Sequence, residues 1–409
     1  MLPERVIVVY DFGSVNGGAA QVAISSALEL RRRSMPVDYF CAVGPVDARL
    51  VEAGVAVTCL HQFDILSNPS RLRAAVSGLW NAAAADAFAT LLSTADPLST
   101  LVHVHGWTKA LSASIFSVAK RMGFRVVVTL HEYFTACPTG GFFDHALGTV
   151  CKRRPMGVDC VLSNCDARSY GQKVWRVARQ AVTTALTDVH GSLTDVIYIS
   201  AFSRELLAPY QQASTRWYFV PNPVEAVHGA RVLAEKNQSM LFIGRLSPEK
   251  GCDLFCAVAT AAGVDAVVVG DGPQSEALRA AWPAVRFTGW LDAAGVQAQL
   301  RKARALVLPS LWYETQGLVV YEALAQGVPV VVADRTAARD AVHDGCNGLL
   351  FEQGEVGSLT CALQSLRDDG VVQALSEQAH AGYWTNPPTL QAHGDALFAA
   401  YGAVMQGVM

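Results

Sequence analysis

The sequence predicts an α/β protein of two similar domains, each with a parallel sheet covered by helices, whose sheets face a central cleft. Three observations support this fold class. The chain has 409 residues, which is too long for one ordinary hydrophobic core. Apolar strand-like runs alternate with loops and helix-like segments, as in parallel sheets with helical crossovers. The stiff segment Pro221-Asn222-Pro223 separates two such series and suits a hinge.

The first predicted domain spans residues 1–220 and starts with an apolar strand followed by a double glycine. Its predicted elements are strand Arg5–Tyr10, helix Ala19–Arg33 and strands Val37–Val43, Leu101–His105, Arg125–Leu130, Val196–Ser200 and Trp217–Val220. Gly17 and Gly18 precede the first helix, where glycine lets backbone N–H groups approach a ligand closely. His131 follows a strand, and ligands of open α/β sheets bind beyond the carboxyl ends of strands. A tight turn and a structural histidine are the plainer interpretations of these residues.

The second predicted domain spans residues 221–388 and repeats the alternation. Its predicted elements are strand Met240–Ile243, helix Asp253–Ala262, strands Ala266–Val269, Arg286–Gly289 and Ala305–Leu308, helix Gly317–Gln326, and strands Val328–Ala333 and Gly348–Phe351. A last segment, 389–409, contains the helix Leu390–Met405 and is expected to pack back toward the first domain.

The composition excludes several classes of protein. A hydrophobic content of 51% with only 16% charged residues indicates a folded chain with little disorder. The net charge of −3 gives no sign of the concentrated basic face that nucleic-acid binding needs. No run approaches the ~18 consecutive apolar residues of a membrane span. We therefore expect a cytoplasmic protein without nucleic-acid partners, with peripheral contact at the inner face of a membrane left open.

Two glutamates, Glu314 and Glu322, lie eight positions apart around Gly317, which can open a helix. Eight helical residues rise about 12 Å, comparable to the span from a sugar ring across a diphosphate to a ribose. A helix N-terminus between the carboxylates would offer free N–H groups and a positive dipole end to the phosphates. The motif therefore predicts a site for a nucleotide-sugar.

Cations follow the first strand of the second domain, in the segment Gly244-Arg-Leu-Ser-Pro-Glu-Lys-Gly251. Arg245 can fork to phosphate oxygens and Lys250 can act as a compact charge, so both suit a diphosphate. A solvated loop with surface charges is the plainer alternative. Gly270 and Gly272 form either a plain turn or a backbone wall beside the nucleotide.

Four cysteines cluster between two predicted strands of the first domain. They are Cys137, Cys151, Cys160 and Cys165. Their number suits a structural zinc site, but their spacing lacks the usual close pairs, so reduced thiols in an irregular loop stay an alternative. The other six are expected to be buried free thiols: Cys41, Cys59, Cys252, Cys256, Cys346 and Cys361.

The segment Arg168–Gln180 interleaves cations with apolar and aromatic residues. Its cations are Arg168, Lys173, Arg176 and Arg179. Such a helix could lie on an anionic membrane or face a lipid-linked acceptor. A charged face on a packed helix is the alternative.

The second half resembles the retaining glycosyltransferases of family 4 (group 1), which have the GT-B fold of two Rossmann-like domains. The resemblance rests on these motifs, in order: Gly244-Arg245…Lys250-Gly251, Gly270-Asp-Gly-Pro273, Phe287-Thr-Gly289, Pro309-Ser310, Glu314-x7-Glu322, Gly327-Val-Pro-Val330 and Gly345-x-Asn-Gly348. They cover about 120 residues. The first half matches through Gly17-Gly18 and His131, with a cysteine-containing insertion at about 134–170.

The resemblance implies a role for each matching residue. The donor diphosphate would be bound by Arg245, Lys250, Gly317, Leu318 and Gly18. Glu314 and His131 would be the catalytic residues, with Glu314 and Gln316 at the donor sugar and Glu322 at the ribose. Gln316 stands where the family often has phenylalanine, so contacts to the sugar are expected to differ. The family uses no catalytic metal, which implies that no cofactor is required.

Two functions from different classes fit these residues. The first is a retaining hexosyl- or related glycosyltransferase that moves a sugar from a nucleotide-sugar to a saccharide or lipid-linked acceptor, in surface polysaccharide or glycoconjugate synthesis. The second is a non-catalytic nucleotide-sugar-binding partner subunit, against which the intact charges argue. A glycoside hydrolase with paired carboxylates would leave Arg245 and Lys250 without a role.

Overall fold

The computed structural model describes residues 1–187, 189 and 193–407. The chain folds into two compact units. The first contains Met1–Gly141, Arg153–Pro223 and the described residues from Pro388 onward, and the second contains Phe142–Lys152 and Val224–Pro387. Residues 142–152 therefore belong to the second unit, although the sequence assigns them to an insertion of the first domain. The end of the predicted segment 389–409, residues 408 and 409, lies outside the described residues.

The described residues form fifteen strands, fifteen α-helices and four short 3₁₀ helices. The strands are β1 Arg5–Val9, β2 Val37–Cys41, β3 Ala56–Cys59, β4 Thr100–Val104, β5 Arg125–Thr129, β6 Phe143–Asp144, β7 Thr149–Val150, β8 Asp195–Tyr198, β9 Arg216–Phe219, β10 Ser239–Ile243, β11 Ala266–Val269, β12 Arg286–Gly289, β13 Ala303–Leu308, β14 Val330–Ala333 and β15 Gly348–Phe351. The helices are α1 Gly18–Arg32, α2 Ala48–Glu52, α3 Arg71–Leu79, α4 Ala82–Leu92, α5 Ser114–Arg121, α6 Val158–Leu162, α7 Tyr170–Leu186, α8 Ala201–Leu207, α9 Cys252–Ala262, α10 Ser275–Ala281, α11 Ala293–Leu300, α12 Leu318–Ala325, α13 Val356–Ser365, α14 Asp369–Thr385 and α15 Leu390–Gln406.

The first unit is built on a seven-stranded parallel sheet with the order β3-β2-β1-β4-β5-β8-β9. Its central strands are almost entirely buried, as expected where helices cover both faces of a sheet. Helix α1 packs on this sheet through small and branched residues at helical spacing, among them Ala20, Ala23, Ile24 and Ala27. The sheet thereby aligns the carboxyl ends of β1, β4 and β5, where the loops bearing Gly18, His105 and His131 begin.

Helix α15 belongs to the core of the first unit. Its residues Leu397, Tyr401 and Val404 are fully buried against α1 and the sheet. The His393 ring joins them through both nitrogens, 2.8 Å from Ser26 Oγ and 2.8 Å from the Pro221 carbonyl oxygen. The end of the chain thus stabilises the same layer from which Gly18 starts.

The second unit has a six-stranded parallel sheet with the order β12-β11-β10-β13-β14-β15. Two buried clusters cover its faces, one containing Phe242 and Phe255 and the other Leu306 and Leu324. With β10 between β11 and β13, the loop after β10 is flanked by two other strand-end loops. The prediction of two parallel-sheet α/β domains is confirmed.

The cysteines are all free thiols. Cys252 and Cys256 are buried 4.0 Å apart between their sulfur atoms, as their spacing on one helix face predicts. Cys346 and Cys361 are exposed, so their predicted burial is wrong. Cys346 lies in a turn and Cys361 lies on the outer face of α13, so both thiols are outside the core.

Candidate functional site

Three loops meet at the carboxyl edge of the second sheet. The loop after β10 is fixed on one side by the Leu246 N–H, which donates to the Asp271 carbonyl oxygen at 3.0 Å. On its other side, the Leu311 N–H donates to the Glu249 carbonyl oxygen at 2.8 Å. Gly251 has φ of 69°, and a Cβ there would lie 2.1 Å from the Pro309 carbonyl oxygen. Only glycine allows this approach, which brings the loop of Lys250 against the loop of Glu314.

Lys250 and Glu314 form a two-point ion pair in this position. The Lys250 Nζ donates to Glu314 Oε1 at 2.7 Å and to Oε2 at 3.0 Å. The Ser310 hydroxyl donates to Oε1 at 2.6 Å, and the Trp312 ring centroid lies 5.0 Å from the Lys250 Nζ. Burial by itself raises the pKa of Glu314, but the Lys250 charge and the hydrogen bonds outweigh it, and the net shift is downward. Glu314 is therefore an ionised carboxylate in a buried position.

Arg245 lies on the same loop as Lys250 and is exposed. Among the residues that the structure describes, it has no ion-pair partner. The loop thus carries one cation held by a carboxylate and one that is open to an anion. A guanidinium in this setting can bind two oxygens of a phosphate at once.

The helix that follows Glu314 begins one residue later than predicted. Gly317 has φ of 79°, and a Cβ there would lie 2.9 Å from the Ala338 Cβ, so both conformation and space require glycine. Helix α12 starts at Leu318, and its glycine cap supplies no side-chain acceptor to the first N–H groups. Glu314 lies outside the helix. The helical rise that the sequence predicts between the two glutamates therefore applies only from Leu318 to Glu322.

Glu322 is half-buried on α12, one turn beyond the helix start. The Gln297 Nε2 donates to Glu322 Oε2 at 3.5 Å, and burial raises the pKa of this carboxyl. The Gln316 side chain is buried and hydrogen-bonded to the Tyr321 hydroxyl. Burial raises the pKa of Tyr321 to about 12 in spite of that bond. Glu314 and Glu322 therefore differ in environment, one paired with a cation and one without.

In the first unit, Gly18 starts α1 and is exposed, and Gly17 before it offers no side-chain cap. His131 is buried, with its Nε2 3.0 Å from the His105 Nδ1. Burial lowers the pKa of His131 to about 3, so the ring is neutral near pH 7. A neutral ring can hydrogen-bond a sugar hydroxyl, but it carries no positive charge for a phosphate.

The structure does not gather the four cysteines into a metal-binding group. Within the described residues, no group of three or more His, Cys, Asp or Glu side chains is placed to hold a metal ion. The thiols have other neighbours instead: Cys137 Sγ lies 3.2 Å from the Thr139 hydroxyl, and the Lys173 Nζ donates to Cys160 Sγ at 3.4 Å. Sequence spacing gives the number of thiols but not their placement in space.

The predicted basic face on Arg168–Gln180 is also wrong. Lys173 is fully buried, and Arg179 donates from Nη1 to the Thr108 carbonyl oxygen at 3.0 Å. Arg176 forms an ion pair with the buried Asp166 at 2.6 Å. Only Arg168 of the four cations is exposed, because helix α7 turns the other three toward the interior of the first unit.

Comparison with protein families decides the class of this chain. The family described as "Glycosyl transferase 4-like domain" matches residues 17–223, just over half of the 409 residues, and the family described as "Glycosyl transferases group 1" matches residues 237–369. The chain belongs to the group 1 glycosyltransferases. The second match contains all the predicted donor-site residues of the second unit, from Arg245 to Glu322.

Relatives of this glycosyltransferase include sugar transferases of several kinds. A "GDP-mannose-dependent alpha-mannosyltransferase" of Mycobacterium tuberculosis is 38% identical over 28% of this chain and 30% of its own length. A "Phosphatidyl-myo-inositol mannosyltransferase" of Mycolicibacterium smegmatis is 27% identical over 48% of this chain and 60% of its own length. The chain thus spans from about a third to under two thirds of these relatives.

Solved structures share the fold of the glycosyltransferase over nearly its whole length. Sucrose-phosphate synthase of Thermosynechococcus elongatus superposes with a TM-score of 0.69 at 17% identity, covering 98% of both chains. Anabaena Alr3699/HepE in complex with UDP and glucose superposes with a TM-score of 0.65 at 17% identity, covering 98% of this chain and 100% of that one. At these identities the likeness establishes the GT-B fold.

One residue of the candidate site has no recognisable signal in the sequence pattern other than its position. The Gln353 Nε2 donates to the Ser310 carbonyl oxygen at 3.0 Å, and to those of Trp312 and Arg335 at 3.3 Å each. It thereby holds the loop that carries Glu314. Its position just after β15, at the same edge of the sheet, is the only signal in the sequence.

No helix in the described part of the chain combines the length and the apolar character needed to cross a membrane.

Proposed function

We propose that this glycosyltransferase is a retaining enzyme that moves a hexosyl or related sugar from a nucleoside-diphosphate sugar to a saccharide or lipid-linked acceptor. The observation that supports this most is the Lys250–Glu314 ion pair beside the glycine-capped start of α12. It joins a cation for a diphosphate to a carboxylate for a sugar at one sheet edge. The alternative, a non-catalytic partner subunit, has no need for a buried ionised Glu314.

The diphosphate would be bound without a metal by positive groups of the second unit. Arg245 is exposed and can fork to two phosphate oxygens, while Lys250 supplies a compact charge. Backbone N–H groups at Gly317 and Leu318 would add donors at the positive end of α12. The same groups would stabilise the charge that grows on the diphosphate as it leaves. Gly18, at the start of α1, is the donor proposed for the first unit.

The sugar and the nucleoside would lie on opposite sides of the diphosphate. Glu314, ionised and fixed by Ser310, would accept hydrogen bonds from hydroxyls of the donor sugar. Glu322 would accept from the ribose hydroxyls. Gly270 and Gly272 would form the wall beside the nucleoside, with the exposed ring of Trp290 available to stack on the base.

Gln316 and His131 take revised roles in this proposal. Gln316 is buried and bonded to Tyr321, so it would act on the sugar by positioning the loop of Glu314. His131 would act as a neutral hydrogen-bonding group for the sugar, held by His105.

The reaction would proceed with the acceptor attacking on the face from which the diphosphate departs. The bond from the anomeric carbon to the diphosphate oxygen breaks with its electron pair on that oxygen. The acceptor hydroxyl oxygen bonds to the anomeric carbon, and its proton passes to the leaving diphosphate. The products are a glycoside with retained configuration and a nucleoside diphosphate, with atoms and charge balanced.

The relatives support the donor class but name different donors and acceptors. One is named for GDP-mannose, another for phosphatidyl-myo-inositol, and the structure of Alr3699/HepE was determined with UDP and glucose. The test panel should therefore contain guanosine and uridine diphosphate sugars, with both saccharide and lipid acceptors.

The experiment is a two-stage assay of the purified full chain. Thermal shift with nucleoside diphosphates and nucleotide-sugars selects the donor, because a ligand that binds only the folded state raises the Tm. Transfer from that donor is then followed by NMR of the product. The proposal expects the anomeric configuration of the donor in the product. An inverted product would overturn the mechanism, and tight binding without transfer or donor hydrolysis across the panel would favour the partner subunit.

A further inference from the structure

The first unit carries an apolar surface that the transfer reaction does not use. It is formed by the loop 63–66 and by the outer faces of α3 and α7, and we call it the α3–α7 surface. Its exposed apolar residues are Phe63, Leu66, Leu72, Val76, Tyr170 and Val174. Leu72 is 76% exposed and Phe63 is 60% exposed. These side chains lie on three segments that border one groove, and an exposed apolar patch marks an interaction site.

The α3–α7 surface is held in shape by the packing beneath it. The Trp175 Nε1 donates to the Ala75 carbonyl oxygen at 3.1 Å, which joins α7 to α3. A Cβ at Gly78 would lie 2.7 Å from the Trp175 ring and 3.0 Å from Ile65 Cγ2, so loop and helices meet closely there. The Ile65 N–H donates to the Lys109 carbonyl oxygen at 2.9 Å and anchors the loop. The apolar side chains are thus presented by a fixed scaffold.

A groove of about 420 Å³ runs between the helices on this surface. Ile65, Leu66, Ala74, Ala75 and Trp175 give it an apolar lining, and the polar residues at its margin are Arg71, Arg168 and Gln172. Its volume is far larger than a single water needs. An apolar channel edged by guanidinium groups is complementary to an acyl chain that is linked to a phosphate.

Cations outnumber carboxylates on this surface, where Asp64 of the loop is the one acidic residue of the three segments. Arg71, Arg73 and Arg168 are exposed, while α3 and α7 contain no acidic residue. The nearby carboxylates are engaged elsewhere: Asp64 accepts the N–H groups of Leu66 and Ser67, and Asp166 is buried in its pair with Arg176. Arg71 and Arg73 flank the Leu72–Val76 ridge, so cations lie on both sides of the apolar residues.

We propose that the α3–α7 surface docks on an anionic phospholipid bilayer, with its apolar residues in the interface and its arginines at the lipid phosphates. Apolar area and attraction to anionic lipids add in such binding. A second copy of the chain is a poorer occupant, because two positive surfaces would face each other. The site differs from the predicted basic face of α7, since it depends on α3 and the loop. The proposal is independent of the transfer reaction.

The test is co-sedimentation of the full chain with vesicles of phosphatidylcholine, with and without phosphatidylglycerol. Binding is expected only to vesicles that contain phosphatidylglycerol. Arg71→Ser with Arg73→Ser should lower the partition coefficient about thirtyfold, from the usual contribution of one arginine near an anionic surface. Leu72→Ser with Val76→Ser should lower it at least about tenfold through lost apolar burial.

Matched controls lie on the second unit. Arg301→Ser with Lys302→Ser removes two exposed cations, and Val356→Ser with Val371→Ser removes two exposed apolar side chains. Both should bind vesicles within about twofold of the parent chain, since they remove the same charge, or two exposed apolar side chains, at another place. All four replaced pairs are exposed, so far-UV circular dichroism should stay unchanged.

Three outcomes would overturn the proposal. One is the absence of binding to anionic vesicles, or equal binding to pure phosphatidylcholine. Another is an equal loss in the control variants, which would show that the location of the charges is irrelevant. The third is a dimer, seen by light scattering, that Leu72→Ser with Val76→Ser dissociates while vesicle binding stays intact, which would assign the surface to a second copy.

Discussion

Lys250 donates from one ammonium nitrogen to both carboxylate oxygens of Glu314, at 2.7 and 3.0 Å. The two residues belong to the loops after β10 and β13 and are 64 positions apart in the sequence. The side chains are 22% and 7% exposed, so solvent screens the pair only weakly. In the proposed function, recognition of the diphosphate and recognition of the sugar would therefore be coupled, because neither residue can be changed without releasing the other.

Replacing Lys250 with alanine should lower kcat/KM for transfer at least about tenfold, because in the proposed function its charge stabilises the leaving diphosphate. The same change leaves Glu314 buried without its cation. The free energy of unfolding should therefore fall by about 1–3 kcal/mol. Initial rates and urea denaturation of the purified variant measure the two effects.

The exposed Lys302 provides the control for this change. Lys302→Ala removes the same side chain from the second unit and should leave rate and stability unchanged. A double-mutant cycle with Glu314→Ala then measures the coupling of the pair. Effects of Lys250→Ala and Glu314→Ala that simply add would contradict the coupling inferred from the distances.

Glu322→Ala should raise the KM for the donor at least about tenfold, because in the proposed function the ribose hydroxyls lose their acceptor. Burial raises the pKa of Glu322, so this carboxylate is protonated at a higher pH than an exposed glutamate. In the parent enzyme, the donor KM should therefore rise as the pH falls through that raised pKa. The variant should lose this part of the pH dependence, and identical KM profiles for the two proteins would argue against the ribose assignment.

Gly317→Ala should weaken donor binding, and this loss should be larger than backbone strain alone would cause. An alanine there must adopt φ of 79° and places its Cβ 2.9 Å from the Ala338 Cβ, so the start of α12 must shift. Gly345→Ala is the matched control, since Gly345 has φ of 70° but no atom within 4 Å of the added Cβ. Both should lose about 1–3 kcal/mol of stability, while only Gly317→Ala weakens nucleoside-diphosphate binding in calorimetry. Equal affinities would exclude the helix start from the site.

The sheets were predictable because parallel strands buried on both faces are continuous apolar runs. Ala266–Val269, Arg286–Gly289 and Gly348–Phe351 have the predicted bounds, and most other strands differ by one or two residues. Helix α3 was not predicted. Its outer face carries Leu72 and Val76, so the usual contrast between an apolar and a polar face is missing.

The arrangement of the candidate site was predictable where residue type and chemistry coincide. Lys250, Glu314 and Gly317 are identified by charge, spacing and the backbone freedom of glycine. Gln353 is different, because it acts through carbonyl oxygens that converge only in the folded unit. Lys173 shows the opposite error, since a lysine on a mixed helix predicts a solvent-facing cation, whereas this one is buried against Cys160.

His131 should make the stability of the protein depend on pH below neutrality. Burial lowers its pKa to about 3, whereas in the unfolded chain the pKa is about 6.5. Between these values the unfolded chain binds a proton that the folded chain does not. Its contribution to stability is therefore complete above about pH 6.5 and is lost as the pH falls toward 3, by up to about 1.4 kcal/mol per pH unit.

The measurement is the slope of the unfolding free energy against pH in urea, between about pH 5 and 6.5. His131→Asn should reduce this slope, whereas His61→Asn, at an exposed histidine of the same unit, should not. The slope is the decisive quantity, because His131→Asn also removes the ring that pairs with His105 and so lowers stability at every pH. His103, His105 and His393 have pKa values that burial also lowers, so part of the slope should survive. An unchanged slope in His131→Asn would show that His131 is charged in the folded protein, and a neutral hydrogen-bonding role at the donor sugar would then be untenable.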